Sequence, residues 1–304
     1  MVFGNAGATS GSGVAFTRDP ATGENRLYFD FLSNAQGEDV VSGRHGVEDA
    51  AILRDVFPDT YQDIGRVAKL LEHEFGEMQE FEFTVQDGKL FLLQTRDGKR
   101  TSLAALRIAV ERVADGSLTP EKALAALKGI DLDAIEAIDS EVGSACLIAA
   151  ATAAGGGVAS GAIALSDAAA KRLAASGQRV ILVRKSAATE DIAGVAMAAG
   201  LLAGTGGRTS HIAVVARQMN KACLVGCTSL RIDLERGKCR FAAIELAEGD
   251  IISIDGGSGR IYAGEVKMVV EKPVALLEEV ARWERPARAA KAPSTKKPAK
   301  ARSA

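Results

Sequence analysis

Gly204-Thr-Gly-Gly-Arg-Thr-Ser-His-Ile-Ala-Val-Val-Ala-Arg217 is the stretch around which this chain is organised. It follows a short apolar run, Gly200 to Ala203, of the length of a buried strand. It opens a segment in which Ile212, Val215, Ala216 and Met219 recur at helical spacing. The order strand, glycine loop, helix places His211 in the first helical turn. Backbone N–H groups there lack internal partners and carry partial positive charge, so a phosphoryl group is stabilised without a dedicated cation. Gly206 and Gly207 let backbone amides approach the same group, Arg208 adds a charge, and Thr209 or Ser210 is positioned to cap the helix. A neutral imidazole at such a place is a nucleophile for phosphorus. The competing reading is a surface or capping histidine.

Composition sets the frame. With 304 residues, 47% hydrophobic and 25% charged, the chain is long enough for one sizeable core or two. A net charge of -2 argues against a globally basic nucleic-acid binder. Cys146, Cys223, Cys227 and Cys239 form no C-x-x-C pair and have too few His or Cys neighbours for zinc, so they read as reduced thiols of a cytoplasmic protein. No run approaches membrane-spanning length, and the N-terminus lacks a leader pattern.

Outward from the central stretch, strands and helices alternate. Gly161 to Leu165 and Arg179 to Val183 read as strands, and Asp167 to Ala175 as a helix. Thr189-Glu-Asp191 is expected to cap a helix through Ala199. Ala222 to Val225, Phe241 to Ile244 and Ile251 to Ile254 read as further strands. Upstream, Leu103 to Ala114 and a helix capped by Thr119 with Pro120 at its first position form a helical connector. Downstream, Pro273 starts a last amphipathic helix, and the acid-free Ala/Lys/Arg/Pro run beyond Pro286 reads as disorder.

The first hundred residues read as small antiparallel strands. Met1 to Phe3 and Val14 to Thr17 flank a turn from Gly4 to Gly13, which is either a flexible hairpin or a phosphate cradle. Arg26 to Leu32 is a strand, and Ala50 to Phe57 and Tyr61 to Phe75 are helices, the latter with Ile64, Val67, Leu70 and Leu71 on its apolar face. Glu80 to Gln86, the turn Asp87-Gly88, and Lys89 to Arg96 make a hairpin. Period-2 alternation puts Glu80, Glu82 and Thr84 opposite Phe81, Phe83 and Val85. Two carboxylates with Gln94 and Arg96 nearby suit a magnesium ion and a nucleotide phosphate, or simply a solvated sheet face.

Gly206 to Arg217 closely resembles the phosphohistidine signature of the mobile domain in phosphoenolpyruvate-utilising enzymes. Phe16-Thr-Arg-Asp-Pro20, Asn34-Ala-Gln-Gly-Glu-Asp-Val-Val41, Glu82-Phe-Thr-Val85 and Leu93-Gln-Thr-Arg-Asp-Gly-Lys-Arg-Thr101 look like the ATP-grasp domain of the pyruvate phosphate dikinase family. The resemblance implies a mixed α/β chain. Residues 1–101 would be the second half of an ATP-grasp nucleotide domain, 102–143 a helical linker, and 144–265 a swivelling β/β/α phosphohistidine domain. A terminal helix over 266–285 and a disordered basic tail over 286–304 would follow.

By the same resemblance His211 is the phosphocarrier, Glu38, Glu80 and Glu82 lie around the nucleotide's Mg2+, and Gln94 and Arg96 lie near the phosphates of ATP. Thr209 corresponds to the residue phosphorylated by a bifunctional regulatory kinase/phosphatase. Two departures stand out: Thr205 replaces an expected charged residue before Gly206, and Glu80 is longer than the expected aspartate. The first ATP-grasp half and the phosphoenolpyruvate/pyruvate barrel would have to come from other chains. The alternative function is a non-catalytic docking or regulatory protein whose basic tail meets acidic partners.

Overall fold

A computed structural model describes residues 1–41, 50–141, 145–186 and 191–290. It is a mixed α/β structure. The first sheet is antiparallel and is ordered β2 (Tyr28–Ser33), β1 (Gly11–Phe16), β3 (Gln79–Gln86), β4 (Lys89–Asp97). The expected hairpin joins β3 to β4 through Asp87 and Gly88, whose φ angles of 51° and 76° are those a two-residue turn requires. The expected strand over Met1–Phe3 does not form, and the glycine run is not all turn. Gly11 and Gly13 sit inside β1, because aromatic rings from the neighbouring strands lie against them. A Cβ on Gly11 would come within 2.3 Å of Phe31 Cζ, and one on Gly13 within 2.4 Å of Phe83 Cζ.

One face of this sheet is aromatic. Phe29, Phe31, Phe81, Phe83 and Val85 are buried against Leu53, Phe57, Ile64, Ala68 and Leu71. Those partners come from helices α2 (Ala50–Val56) and α3 (Pro58–Phe75) and the residue between them; the short α1 (Gly37–Val41) precedes both. Each such side chain contributes roughly 1.5–3 kcal/mol on burial. Leu70, expected on the packed face of α3, turns outward and is 58% exposed, its place being taken by Ala68. The buried Arg18 ties α3 to the next helix, donating to Glu72 at 2.8 Å and Glu111 at 2.6 Å.

The connector is α4 (Ser102–Ala114) and α5 (Pro120–Ala126). Thr101 and Thr119 cap them by accepting from the Ala104 and Lys122 amides. The last helix, α9 (Val274–Ala290), packs back on this pair, with Val280 and Trp283 against Leu106 and Ala109. It runs past Pro286, where disorder was expected; residues 291–304 of the basic tail lie outside the described residues. Strand β5 (Ala137–Glu141), read as linker, pairs antiparallel with β17 (Lys267–Glu271), read as part of a terminal helix.

Between those two strands lies the second unit. Its eight-stranded sheet is ordered β6 (Cys146–Ala150), β16 (Arg260–Ala263), β15 (Ile251–Asp255), β8 (Val158–Ala164), β9 (Val180–Arg184), β10 (Gly200–Ala203), β11 (Ala222–Val225), β7 (Thr152–Gly155). The run from β8 to β11 is parallel. One side is covered by α6 (Asp167–Ala175), α7 (Ile192–Met197) and α8 (His211–Gln218) through Ala169, Val195, Ile212 and Ala216. The other side meets the small sheet β12 (Leu230–Asp233), β13 (Lys238–Phe241), β14 (Ile244–Ala247) through Leu230, Cys239 and Phe241. Phe241 to Ile244, expected as a strand, is the tight turn between β13 and β14, with Ala242 at φ 50°. Of the expected cap for α7, Thr189 and Glu190 lie outside the described residues. Asp191 makes no cap bond; its carboxylate instead lies 3.0 Å from Arg184 Nε.

All four cysteines are free. Burial pushes the Cys223 and Cys239 thiols up to about 12. Thiol counting at about pH 8 should find Cys146 alone reactive in the native protein and all four cysteines after unfolding. Gly13→Ala should cost about 1–3 kcal/mol in urea unfolding, and adding Phe83→Leu, which withdraws the ring, should recover part of it.

Candidate active site

The loop that carries His211 leaves the carboxyl end of β10, a strand buried along its whole length between β9 and β11. Gly206 turns the chain with φ 105°, a value open to glycine alone without strain. Helix α8 then starts at His211, as the sequence spacing predicts. Ile212, Ala213 and Ala216 bury one side of α8 against the sheet, which leaves the His211 imidazole exposed. The expected side-chain cap is not made. Ser210 stands at the cap position without a cap bond, its Oγ buried and unpartnered, and Thr209 is engaged elsewhere. Among the described residues no side chain caps the first amides of α8, which leaves them open to an anion.

Thr209 binds across to the first sheet. Its amide and its hydroxyl both donate to Asp30 Oδ2, at 2.6 Å and 2.7 Å. Asp30 is 1% exposed and Thr209 3%. Burial raises the Asp30 pKa above the usual carboxylate range, opposed by the Thr209 hydroxyl and amide and by Arg208. Beside this contact the Arg208 guanidinium lies 5.3 Å over the Tyr28 ring. Arg208 is thus held against an aromatic face, where the sequence had it beside the phosphate. Thr205 donates to the Lys185 carbonyl.

Arg217, the last residue of the quoted stretch, had no role assigned from the sequence and is central to the site. It is fully buried, and its Nη1 donates to the carbonyls of Ala154 on β7 and Arg208 in the loop, at 2.7 Å and 2.8 Å. Its guanidinium sits 5.3 Å from the Phe16 ring and 5.9 Å from the Tyr28 ring. Tyr28 in turn donates to the Ala153 carbonyl, and burial raises its phenol well above its usual value. Neither Asp30, Tyr28 nor Arg217 stood out in the sequence. The available signal was that Tyr28 and Asp30, two apart on a strand, share one face.

Cross-strand register places these contacts relative to the nucleotide-side candidates. Tyr28, Phe16, Glu80 and Arg96 form one row across the first sheet, and Asp30, Val14, Glu82 and Gln94 form the next. The loop rests on the β2 end of this face, and Glu80, Glu82, Gln94 and Arg96 occupy the β3–β4 end. Glu80 is buried and accepts from the half-exposed Arg96, whose guanidinium keeps its proton more firmly because of that bond. The other oxygen of Glu80, Oε2, is buried with no partner, which suits a cation. Glu38 is exposed in the first turn of α1. Among the described residues no three His, Cys, Asp or Glu side chains gather as a metal site, so Glu38, Glu80 and Glu82 do not by themselves complete one for Mg2+. No described helix is long and apolar enough to cross a membrane.

Residues 177–259 match the family model of the PEP-utilising enzyme mobile domain. More particularly, the chain is similar to pyruvate, phosphate dikinases. It is 42% identical over 93% of its length to the Clostridium symbiosum protein and 41% over 88% to that of Rhizobium meliloti (strain 1021). It is also 41% identical over 87% to pyruvate, phosphate dikinase 2 of Zea mays. It spans about a third of each relative's length, 33%, 31% and 30% respectively.

Removing the buried guanidinium should loosen loop and sheet together. Arg217→Met is expected to lower stability by about 2–4 kcal/mol in urea unfolding, and Arg217→Lys to recover less than half of that loss, because the shorter lysine does not bring its nitrogen to the place of Nη1 and has no planar face for the Phe16 and Tyr28 rings.

Proposed function

We propose that this chain is the phosphocarrier part of a phosphotransferase of the pyruvate, phosphate dikinase type. The observation that carries the reading is that the exposed His211 is presented by a loop seated on the same sheet face as Glu80, Glu82, Gln94 and Arg96. His211 would attack the β-phosphorus of ATP in line through a ring nitrogen, forming an N–P bond as the P–O bond to the departing AMP breaks, so that both terminal phosphoryl groups move to the imidazole. The uncapped first turn of α8 would hold the transferred group's oxygens. Gln94 and Arg96 would meet the nucleotide phosphates, with Arg96 exchanging part of its hold on Glu80 for them. Mg2+, when bound near Glu80 and Glu82, would neutralise phosphate charge; its remaining donors would come from ATP, water or other segments.

In such a cycle inorganic phosphate takes one phosphoryl group to give diphosphate, and His211 carries the other to pyruvate to give phosphoenolpyruvate. The pyruvate site and the rest of the nucleotide site would belong to parts of the relatives outside the third that this chain spans. Regulation at Thr209 fits the same scheme with a restriction. Its hydroxyl is buried and given to Asp30, so a regulatory kinase would act on the loop away from β2, and a phosphate there would face a carboxylate on return.

The chain, incubated with labelled phosphoenolpyruvate and a separately expressed dikinase barrel, is expected to acquire acid-labile phosphate, and His211→Ala to acquire none. Label of equal amount in His211→Ala would remove His211 from the role.

A further inference from the structure

We propose that Asp30 is a positioning residue, a releasable seat on β2 that holds the His211 loop against the first sheet through the amide and hydroxyl of Thr209. The argument starts from cost. A carboxylate 1% exposed has lost nearly all its water, and none of the ion pairs among the described residues includes Asp30. Such a group is destabilising unless short, charge-assisted hydrogen bonds replace its hydration. The two shortest, at 2.6 Å and 2.7 Å, come from the amide and hydroxyl of Thr209, and the Arg208 amide and charge beside them belong to the same loop.

The same two bonds explain why the seat would release. On departure of the loop, Asp30 regains water and Thr209 regains solvent, so the strong bonds are offset by the hydration they displaced. What remains in favour of seating is the apolar and aromatic part of the contact, Arg208 over Tyr28 and Arg217 over Phe16 and Tyr28. A hydrophobic pair in place of Asp30 and Thr209 would hold without discrimination. The carboxylate accepts one geometry, that in which the Thr209 amide and hydroxyl converge, and so sets the register of the residue two before His211. This inference concerns the contact and stands whether or not the chain transfers phosphate.

Native-state hydrogen exchange on the whole chain tests it. Asp30→Ala is expected to speed exchange of the Thr209 amide and its loop neighbours by about tenfold or more, with β9 and β10 within about twofold of the unmodified protein. Asp30→Asn, which keeps an acceptor, should restore most of the protection. A loop as protected in Asp30→Ala as before would overturn the proposal. Should Asp30→Ala also expose β9 and β10, Thr209→Val decides. Loss of the hydroxyl alone should speed loop exchange about threefold or more and leave those strands unchanged, and no change in the loop would refute the seat.

Discussion

Arg217 is the group on which the relation between the two halves depends. A guanidinium with no exposed surface has to find acceptors and a polarisable surrounding; here Nη1 finds acceptors and two rings lie near, while Nε and Nη2 are buried without a hydrogen-bond partner among the described residues. Two carbonyls, one on β7 and one in the histidine loop, take its Nη1 protons, and two rings of the first sheet cover its planes. Because the loop carbonyl belongs to Arg208, the same contact fixes the backbone immediately before Thr209. The position of His211 is therefore set from behind, by a charge on its own helix six residues later, and from the front by Asp30.

This division of labour leaves the imidazole itself free of structural duty. Ile212, Ala213 and Ala216 supply the packing of α8, Arg217 its anchorage, and Thr209 the contact with β2. Ser210, the natural capping residue, is turned inward and caps nothing. A helix start with its amides uncapped is locally less stable, typically by about 0.5–2 kcal/mol. In this chain that local deficit coincides with the exposed imidazole of His211.

Much of this was legible in the residues. Apolar spacing located α6, α8 and the hairpin of β3 and β4, and threonine followed by proline marked the start of α5. The order strand, glycine loop, helix placed His211 where the structure has it. What was not legible followed from contacts between distant segments. Gly11 and Gly13 look like loop residues until Phe31 and Phe83 are laid over them. Glu80 and Arg96 read as separate ligands until the register of β3 and β4 puts them face to face. Asp30 is an unremarkable strand residue, 179 positions from the Thr209 that gives it meaning. The pairing of β5 with β17 was missed for the same reason, since neither strand has a partner nearby in sequence.

That last pairing has a mechanical consequence. The unit bearing His211 leaves the connector through β5 and returns through β17, side by side in one antiparallel ribbon, and α9 then packs on α4 and α5. Entry and exit share one attachment. A ribbon two strands wide bends readily out of its plane but resists sliding, because sliding would break its ladder of hydrogen bonds. Both crossings of the chain into this unit therefore share one ladder, and whatever frays β5 loosens β17 with it.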